Sequence, residues 1–186
     1  MAYQYNHPIQ DFDEDAALRS LLEGTAKETG EGFFFALVEN LARAMHTSSA
    51  WVTEYVEETR KLRALAFWEN GEWIKGVEYQ IDGTPCEKVI DEACPVHVPE
   101  QVVTLYPEDK DLEKSKAVSY MGVPLQDIDG KVLGNLAIMD SRPMPEQPRA
   151  KALFQIFAAR AAAEHQRLRA EKKVREREQK LSRLIN

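Results

Sequence analysis

VEYQIDGTPCEKVIDEACPVHVPEQVVTLYPEDKDLEKSKAVSYMGVPLQDIDGKVLGNLAIMD, residues 77–140, decides how the rest of this chain is read. Near its end, Ser119-Tyr120-Met121-Gly122-Val123-Pro124-Leu125 and Val132-Leu133-Gly134-Asn135-Leu136-Ala137-Ile138 are two apolar runs separated by Asp127-Ile128-Asp129-Gly130. Apolar runs rich in β-branched residues around an Asp-Gly predict a β-hairpin, because the glycine accepts the positive φ that such a turn needs. Upstream, Tyr79-Gln80-Ile81-Asp82-Gly83 reads as a strand running into a turn. Thr84 then stands where a helix cap would, with Pro85 at the first helical position and Glu87 at capping-box distance.

Working outward, the spacing of Phe34, Leu37, Val38, Leu41, Ala42 and Met45 predicts an amphipathic helix whose stripe is core. An earlier helix is expected from an Asp11 cap with Glu14 behind it, burying Leu18, Leu21 and Leu22 and interrupted at Gly30 and Gly32. Residues 1–10 are expected to be loosely packed. Ala50–Val56 and Leu62–Trp68 change to strand character around Glu57-Glu58-Thr59-Arg60, and Asn70-Gly71 marks another turn before Trp73. Connections this short require antiparallel pairing. The irregular stretch 83–116, with four prolines, is too long for an idle loop.

After Arg142-Pro143-Met144-Pro145, Pro148 is placed to open a last helix, and 149–186 contains neither Gly nor Pro. At 1.5 Å per residue it would extend roughly 57 Å, well beyond a domain of this size. Leu153, Phe154, Ile156, Phe157 and Ala161 are expected to lie on the sheet. Leu168, Val174, Leu181, Leu184 and Ile185 continue over a charged background. Val174 to Leu181 is one heptad, while Leu168 is off that register, so a short, imperfect coiled coil and a parallel homodimer are expected.

The quoted words, Gly83-Thr84-Pro85-Cys86-Glu87, Cys94, Tyr106-Pro107-Glu108-Asp109, Ser119 to Leu125 and Gly134 to Asp140, resemble those of the GAF domain of bacterial signalling proteins. The resemblance covers roughly Ala17 to Ala163. It implies an α+β fold, GAF- or PAS-like: an antiparallel β-sheet with helices on one face, an irregular lid over a pocket on the other, and here a long projecting C-terminal helix. It further implies a sensor placed before PAS, histidine kinase, cyclase or formate-hydrogenlyase-activator-like output modules. The expected division is 1–16 as an N-terminal extension, 17–148 as the GAF domain and 149–186 as a signalling helix.

Composition agrees with a soluble domain. The 186 residues (21.2 kDa) are 44% hydrophobic and 30% charged, no run approaches the roughly 20 apolar residues of a membrane span, and MAYQYNHPIQDFDED is not a signal peptide. Cytoplasmic localisation is expected, in keeping with only two cysteines. The net charge of −7 divides unevenly: Arg167–Asn186 carries eight Lys or Arg against three Glu, leaving −12 for the remainder. An acidic body argues against direct nucleic-acid contact, and the mixed-charge tail reads as a solvated helix.

Cys86, Cys94 and His97 lie close in sequence, with Asp91, Glu92 and His46 as further donors. Their C-x7-C-x2-H spacing is not that of a zinc site, so no metal is expected. A Cys86–Cys94 redox pair requires Cα atoms within about 7 Å. No G-x-S-x-G elbow occurs, nor the further cysteines of the GAF-like sulfoxide reductases, so no enzyme activity and no catalytic residues are expected. The Asn-Lys and Phe-x-x-x-Asp-Glu words of cyclic-nucleotide GAF domains are absent. Cys86 precedes Glu87 and Cys94 precedes Pro95, unlike the Cys-His of bilin attachment. The expected pocket lining is Trp68, Tyr79, Cys86, Cys94, His97, Tyr120 and Met139, with cofactor and ligand unknown. His97, or the helix start near Thr84, would receive an anionic ligand. The alternatives are a structural dimerisation module with a self-filled pocket and a thiol redox sensor using Cys86 and Cys94.

Overall fold

The computed structural model describes residues 14–185. The segment 1–10 and the Asp11 cap lie outside those residues. Two helices come first, α1 (Glu14–Thr25) and α2 (Glu31–Met45). Gly30 is the N-cap of α2 with φ of 69°, and Gly32 lies inside that helix rather than between the two. Of the three leucines expected to be buried in α1, Leu21 is buried while Leu18 and Leu22 face solvent, so its apolar face is narrower than their spacing suggests.

The strands are β1 (Ser49–Val56), β2 (Lys61–Glu69), β3 (Glu72–Trp73), β4 (Glu78–Gln80), β5 (Val96–Val98), β6 (Ser119–Gln126) and β7 (Val132–Asp140). They form one antiparallel sheet in the order β3-β2-β1-β7-β6-β5, with β4 also paired to β2. The β6–β7 turn closes as expected. Gly130 has φ of 83°, and Asp127 Oδ1 accepts from the amides of Asp129 and Lys131, both at 2.9 Å.

Alternation along the inner strands divides the interior into two cores. Ala50, Val52, Met121, Val123, Leu125, Leu136 and Ile138 face α2 and the last helix, α6 (Pro148–Ile185). Trp51, Tyr120, Ala137 and Met139 face the other way, against the lid helices α3 (Pro85–Asp91), α4 (Val102–Leu105) and α5 (Lys110–Lys114). A bulge leaves Leu65 out of the β1–β2 register, so Leu62 and Phe67, an odd number of residues apart, both reach the lid side. Gly134 marks the closest approach of β7 to β1, where a Cβ would stand 1.9 Å from the Thr53 carbonyl oxygen.

Helix α6 seats Leu153, Phe154, Phe157, Ala158, Ala161 and Ala162 on the sheet. Ile156, expected there, is 61% exposed, because its position on the helical wheel points away from the sheet. Leu168, the off-register residue, packs against the helix-side core. Arg160 holds the corner between α1 and α2: its guanidinium donates to Thr25 Oγ1 (3.0 Å) and the Thr25 carbonyl (3.1 Å) and lies 5.1 Å from the Phe33 ring centroid. The Glu164 carboxylate accepts from the Gly30 amide at 2.6 Å. From Arg169 to Ile185 every residue is exposed, so the second half of α6 projects from the body.

His165 stands where the helix leaves the sheet. It is buried beside Phe34, and its Nε2 has no hydrogen-bond partner although the Glu54 carboxylate lies 3.5 Å away. Burial lowers its pKa below the usual 6.5, against the pull of Glu54. The unfolded chain therefore takes up this proton first, and stability falls as pH drops below about 6.5. Replacing His165 with Leu is expected to flatten that part of the stability curve, as read from urea midpoints between pH 7.5 and 5.5.

Candidate functional site

The lid does not close fully onto the sheet. Between them, and bounded by residues 74–79, lies a cleft of about 440 Å³, within the range of small-molecule sites. Trp51, Phe67, Tyr120 and Met139 form its sheet wall, and Tyr79, Pro85 and Cys86 line the lid end. Trp51 and Phe67 are stacked, with centroids 5.1 Å apart and planes 8° off parallel. The mouth carries Glu69, Asp109 and Asp111 with Lys75 and Lys114.

A buried polar chain anchors the lid at the inner end. Thr53 Oγ1 donates to Asn135 Oδ1 (2.6 Å), and Asn135 Nδ2 donates to Cys86 Sγ (3.3 Å). The hydroxyls of Tyr120 and Tyr79 lie 3.3 and 3.5 Å from the same sulfur. Gly122 permits the Tyr120 geometry, since a Cβ there would fall 2.1 Å from the phenolic oxygen. Burial raises the pKa of the Cys86 thiol despite its hydrogen bonds, and raises those of both tyrosines. The cluster is therefore neutral at physiological pH, with a protonated thiol. The indole N–H of Trp51 is buried without a hydrogen-bond partner.

The lid's helix ends follow local chemistry that differs in part from the capping-box expectation. Thr84 is extended as a cap must be, but its hydroxyl donates to the Ile81 carbonyl (2.7 Å). Glu87 accepts from the Gly83 amide (2.8 Å), one residue earlier than the box requires, because the turn preceding α3 has already engaged the hydroxyl. The side-chain cap lies at α5 instead, where Asp109 Oδ1 accepts from the amides of Asp111 (3.1 Å) and Leu112 (3.4 Å). Burial nevertheless raises the pKa of Asp109. Outside, Arg60 joins Asp82 and Asp91, each at 2.9 Å, across the two ends of α3.

Of the expected lining residues, Tyr79, Cys86, Tyr120 and Met139 come together at the cleft. Trp68 does not: alternation gives the cleft to Phe67 and turns Trp68 toward the helix-side core, edge-on to Trp73 at 4.9 Å. Cys94 lies beyond the far end of α3, half-buried, with its thiol 3.7 Å from Glu92. His97 pairs with Met121 across β5 and β6, on the helix side, and its Nε2 meets the Met144 carbonyl at 2.8 Å. An anion in the cleft would therefore not meet His97. Cys86 sits in the first turn of α3 and is turned into the buried cluster, Cys94 lies three residues past the end of that helix beside Glu92, and both thiols are free. Trp51, Phe67, Thr53 and Asn135 belong to the cleft or its anchor without having been expected there.

A sheet with this strand order, a lidded cleft on one face and helices on the other is accompanied by a match of residues 30–164 to the GAF domain family. The chain belongs to the GAF domain family. Solved GAF structures share the fold. That of an Acinetobacter phosphoenolpyruvate-protein phosphotransferase has a TM-score of 0.71 at 17% identity, covering 86% of this chain and 97% of that one. Its Coxiella burnetii counterpart gives 0.74 at 16%, covering 87% and 97%. The phycocyanobilin-bound GAF domain of a cyanobacterial phytochrome gives 0.63 at 12%, covering 87% and 98%. Among curated protein sequences none matches. No helix of the described residues is long and apolar enough to cross a membrane, and among the same residues no three or more His, Cys, Asp or Glu side chains gather around a metal position.

With its thiol neutral and enclosed, Cys86 is expected to resist modification. Ellman's reagent at pH 8 should titrate one thiol per folded chain, none in Cys94→Ser, and both only in denaturant. Two fast-reacting thiols in the native protein would show that the lid does not seal the cluster.

Proposed function

We propose that this GAF domain is a cytoplasmic regulatory sensor that binds a small molecule in the lid-side cleft and relays occupancy through α6, as a homodimer, to an output domain. One observation carries the reading: the strands that wall the cleft also seat α6. Tyr120 and Met139, cross-strand partners, face the cleft, whereas their neighbours Met121 and Ile138 pack in the helix-side core. A ligand that shifts β6 against β7 must repack the surface on which α6 lies. Relay then requires only that the ligand bind one arrangement more tightly than the other.

The exposed side of α6 supports the dimer. Directly opposite the buried face, Ile156, Ala159, Ala163, Ala170, Val174, Leu181 and Leu184 follow one another at spacings of three, four or seven residues, and all are exposed. Leu168 is absent from this seam because it belongs to the inner face, which removes the register break that the sequence presented. A lone projecting helix has little to stabilise it in water, and pairing two copies along the seam buries these side chains.

Native mass spectrometry of the freshly purified protein tests both parts. Two chains per particle and a mass excess that disappears on denaturation are expected. The double change Val174→Glu, Leu181→Glu is expected to raise the dimer dissociation constant by at least about a hundredfold, on the order of 3 kcal/mol, while the mass excess per chain persists. A monomeric wild type removes the relay, and failure of any small metabolite to be retained or to raise the Tm removes the sensor.

A further inference from the structure

A second cavity, of about 170 Å³, lies on the helix side where α6 begins. Its wall contains Met45, Met121, Met144 and His97, together with the exposed side chains of Glu146 and Lys151. The three methionines are buried within the helix-side core. Flexible methionines ordinarily fill gaps in a core, yet here three of them border an unfilled volume that an imidazole also reaches. The fold brings them together from separate elements. Met45 ends α2, His97 and Met121 are direct partners across β5 and β6, and Met144 is held by its amide on the Pro99 carbonyl at 2.9 Å. Residues directly opposite one another on antiparallel strands share a face.

The tautomer of His97 follows from its contact. The Met144 carbonyl can only accept, so His97 Nε2 donates in the 2.8 Å bond and Nδ1 is the ring nitrogen left for a metal. An imidazole whose other N–H is fixed on a backbone carbonyl is the usual arrangement of a histidine that ligates a metal.

We propose that this cavity is a site for a soft monovalent cation, Cu(I), taken up by the thioethers of Met45, Met121 and Met144 and by His97 Nδ1. None of the four donors is a carboxylate or a thiolate. Soft thioethers favour Cu(I) and imidazole also suits copper, whereas carboxylates, carbonyls and waters suit hard cations such as Mg²⁺ and Ca²⁺. Because Met144 lies in the connection into α6, ligation ties the start of that helix to the β5–β6 edge. This site is separate from the cleft and does not depend on what the cleft binds.

Silver(I), an air-stable surrogate for Cu(I), provides the test on the full chain carrying Cys94→Ser, which removes the half-exposed thiol. In spectra of protein labelled with ¹³C at the methionine methyls, one equivalent of Ag(I) should shift Met45, Met121 and Met144 and leave Met139, on the opposite face of the sheet, unmoved. Met121→Leu and Met144→Leu keep the core nearly isosteric, and each should weaken Ag(I) binding by at least about tenfold. Anaerobic competition with bicinchoninate should then give one Cu(I) per chain. Unshifted methyls at one equivalent, movement of Met139 with the rest, or unchanged affinity in both variants would each overturn the assignment.

Discussion

The inner strands β1, β6 and β7 are covered on both faces over most of their length, so each buried side chain on them must join one of two cores. Period-two alternation makes that choice residue by residue, and a slip of one position would exchange the two populations. Tyr120 would enter the helix core and Met121 the cleft. Glycines at the tightest points hold the register: a side chain at Gly134 would strike the β1 backbone, and one at Gly122 would displace the phenol that reaches Cys86. The cleft therefore depends less on any individual side chain that lines it than on the sheet keeping its phase.

On the lid side that phase produces an unusual pairing of properties. The walls are aromatic and thioether, yet the inner end is a chain of neutral polar groups from Thr53 through Asn135 to Cys86 and two tyrosines. Buried polar groups are tolerable only when satisfied, and each member of this chain has a partner in the next. It fixes the first turn of α3 against β7, while the mouth between α5 and residues 74–79 is bounded by charged side chains. The exposed ion pairs of Arg60 contribute little to stability, but they set where the two ends of α3 rest. A firm inner end and a lightly held mouth suit a cleft that admits a small molecule.

Much of this was legible in the sequence because it is local. The Asp-Gly hairpin, the strand pair around Glu57–Arg60 and the long final helix each carry their own period or turn chemistry, and the GAF words fixed their order. The cleft was only half legible. Tyr79, Tyr120 and Met139 sit on strands, where alternation assigns a face, and Cys86 on the lid helix that the Gly83–Glu87 word marks, but Trp68 was lost to the bulge at Leu65, which changes the parity of β2 and is silent in composition. Cys94 and His97 were grouped with Cys86 by proximity along the chain, and the turn of α3 together with the facing of β5 separates them in space. Asn135 had a signal that could have been read. It is a polar residue of low strand propensity inside an otherwise apolar run, a place where a buried hydrogen-bond partner is to be expected. Ile156 was assigned inward because it is apolar, whereas the helical wheel places it outward with Ala159 and Ala163.

The central claim is a rigid, doubly covered sheet carrying a more weakly attached lid, and residue-resolved amide hydrogen exchange measures it most directly. The account predicts the slowest exchange in β1, β6 and β7, with amides of residues 101–116 exchanging at least about a hundredfold faster through local opening that leaves the sheet intact. Lid amides as protected as those of β6 and β7, or inner strands that exchange as fast as the lid, would contradict it.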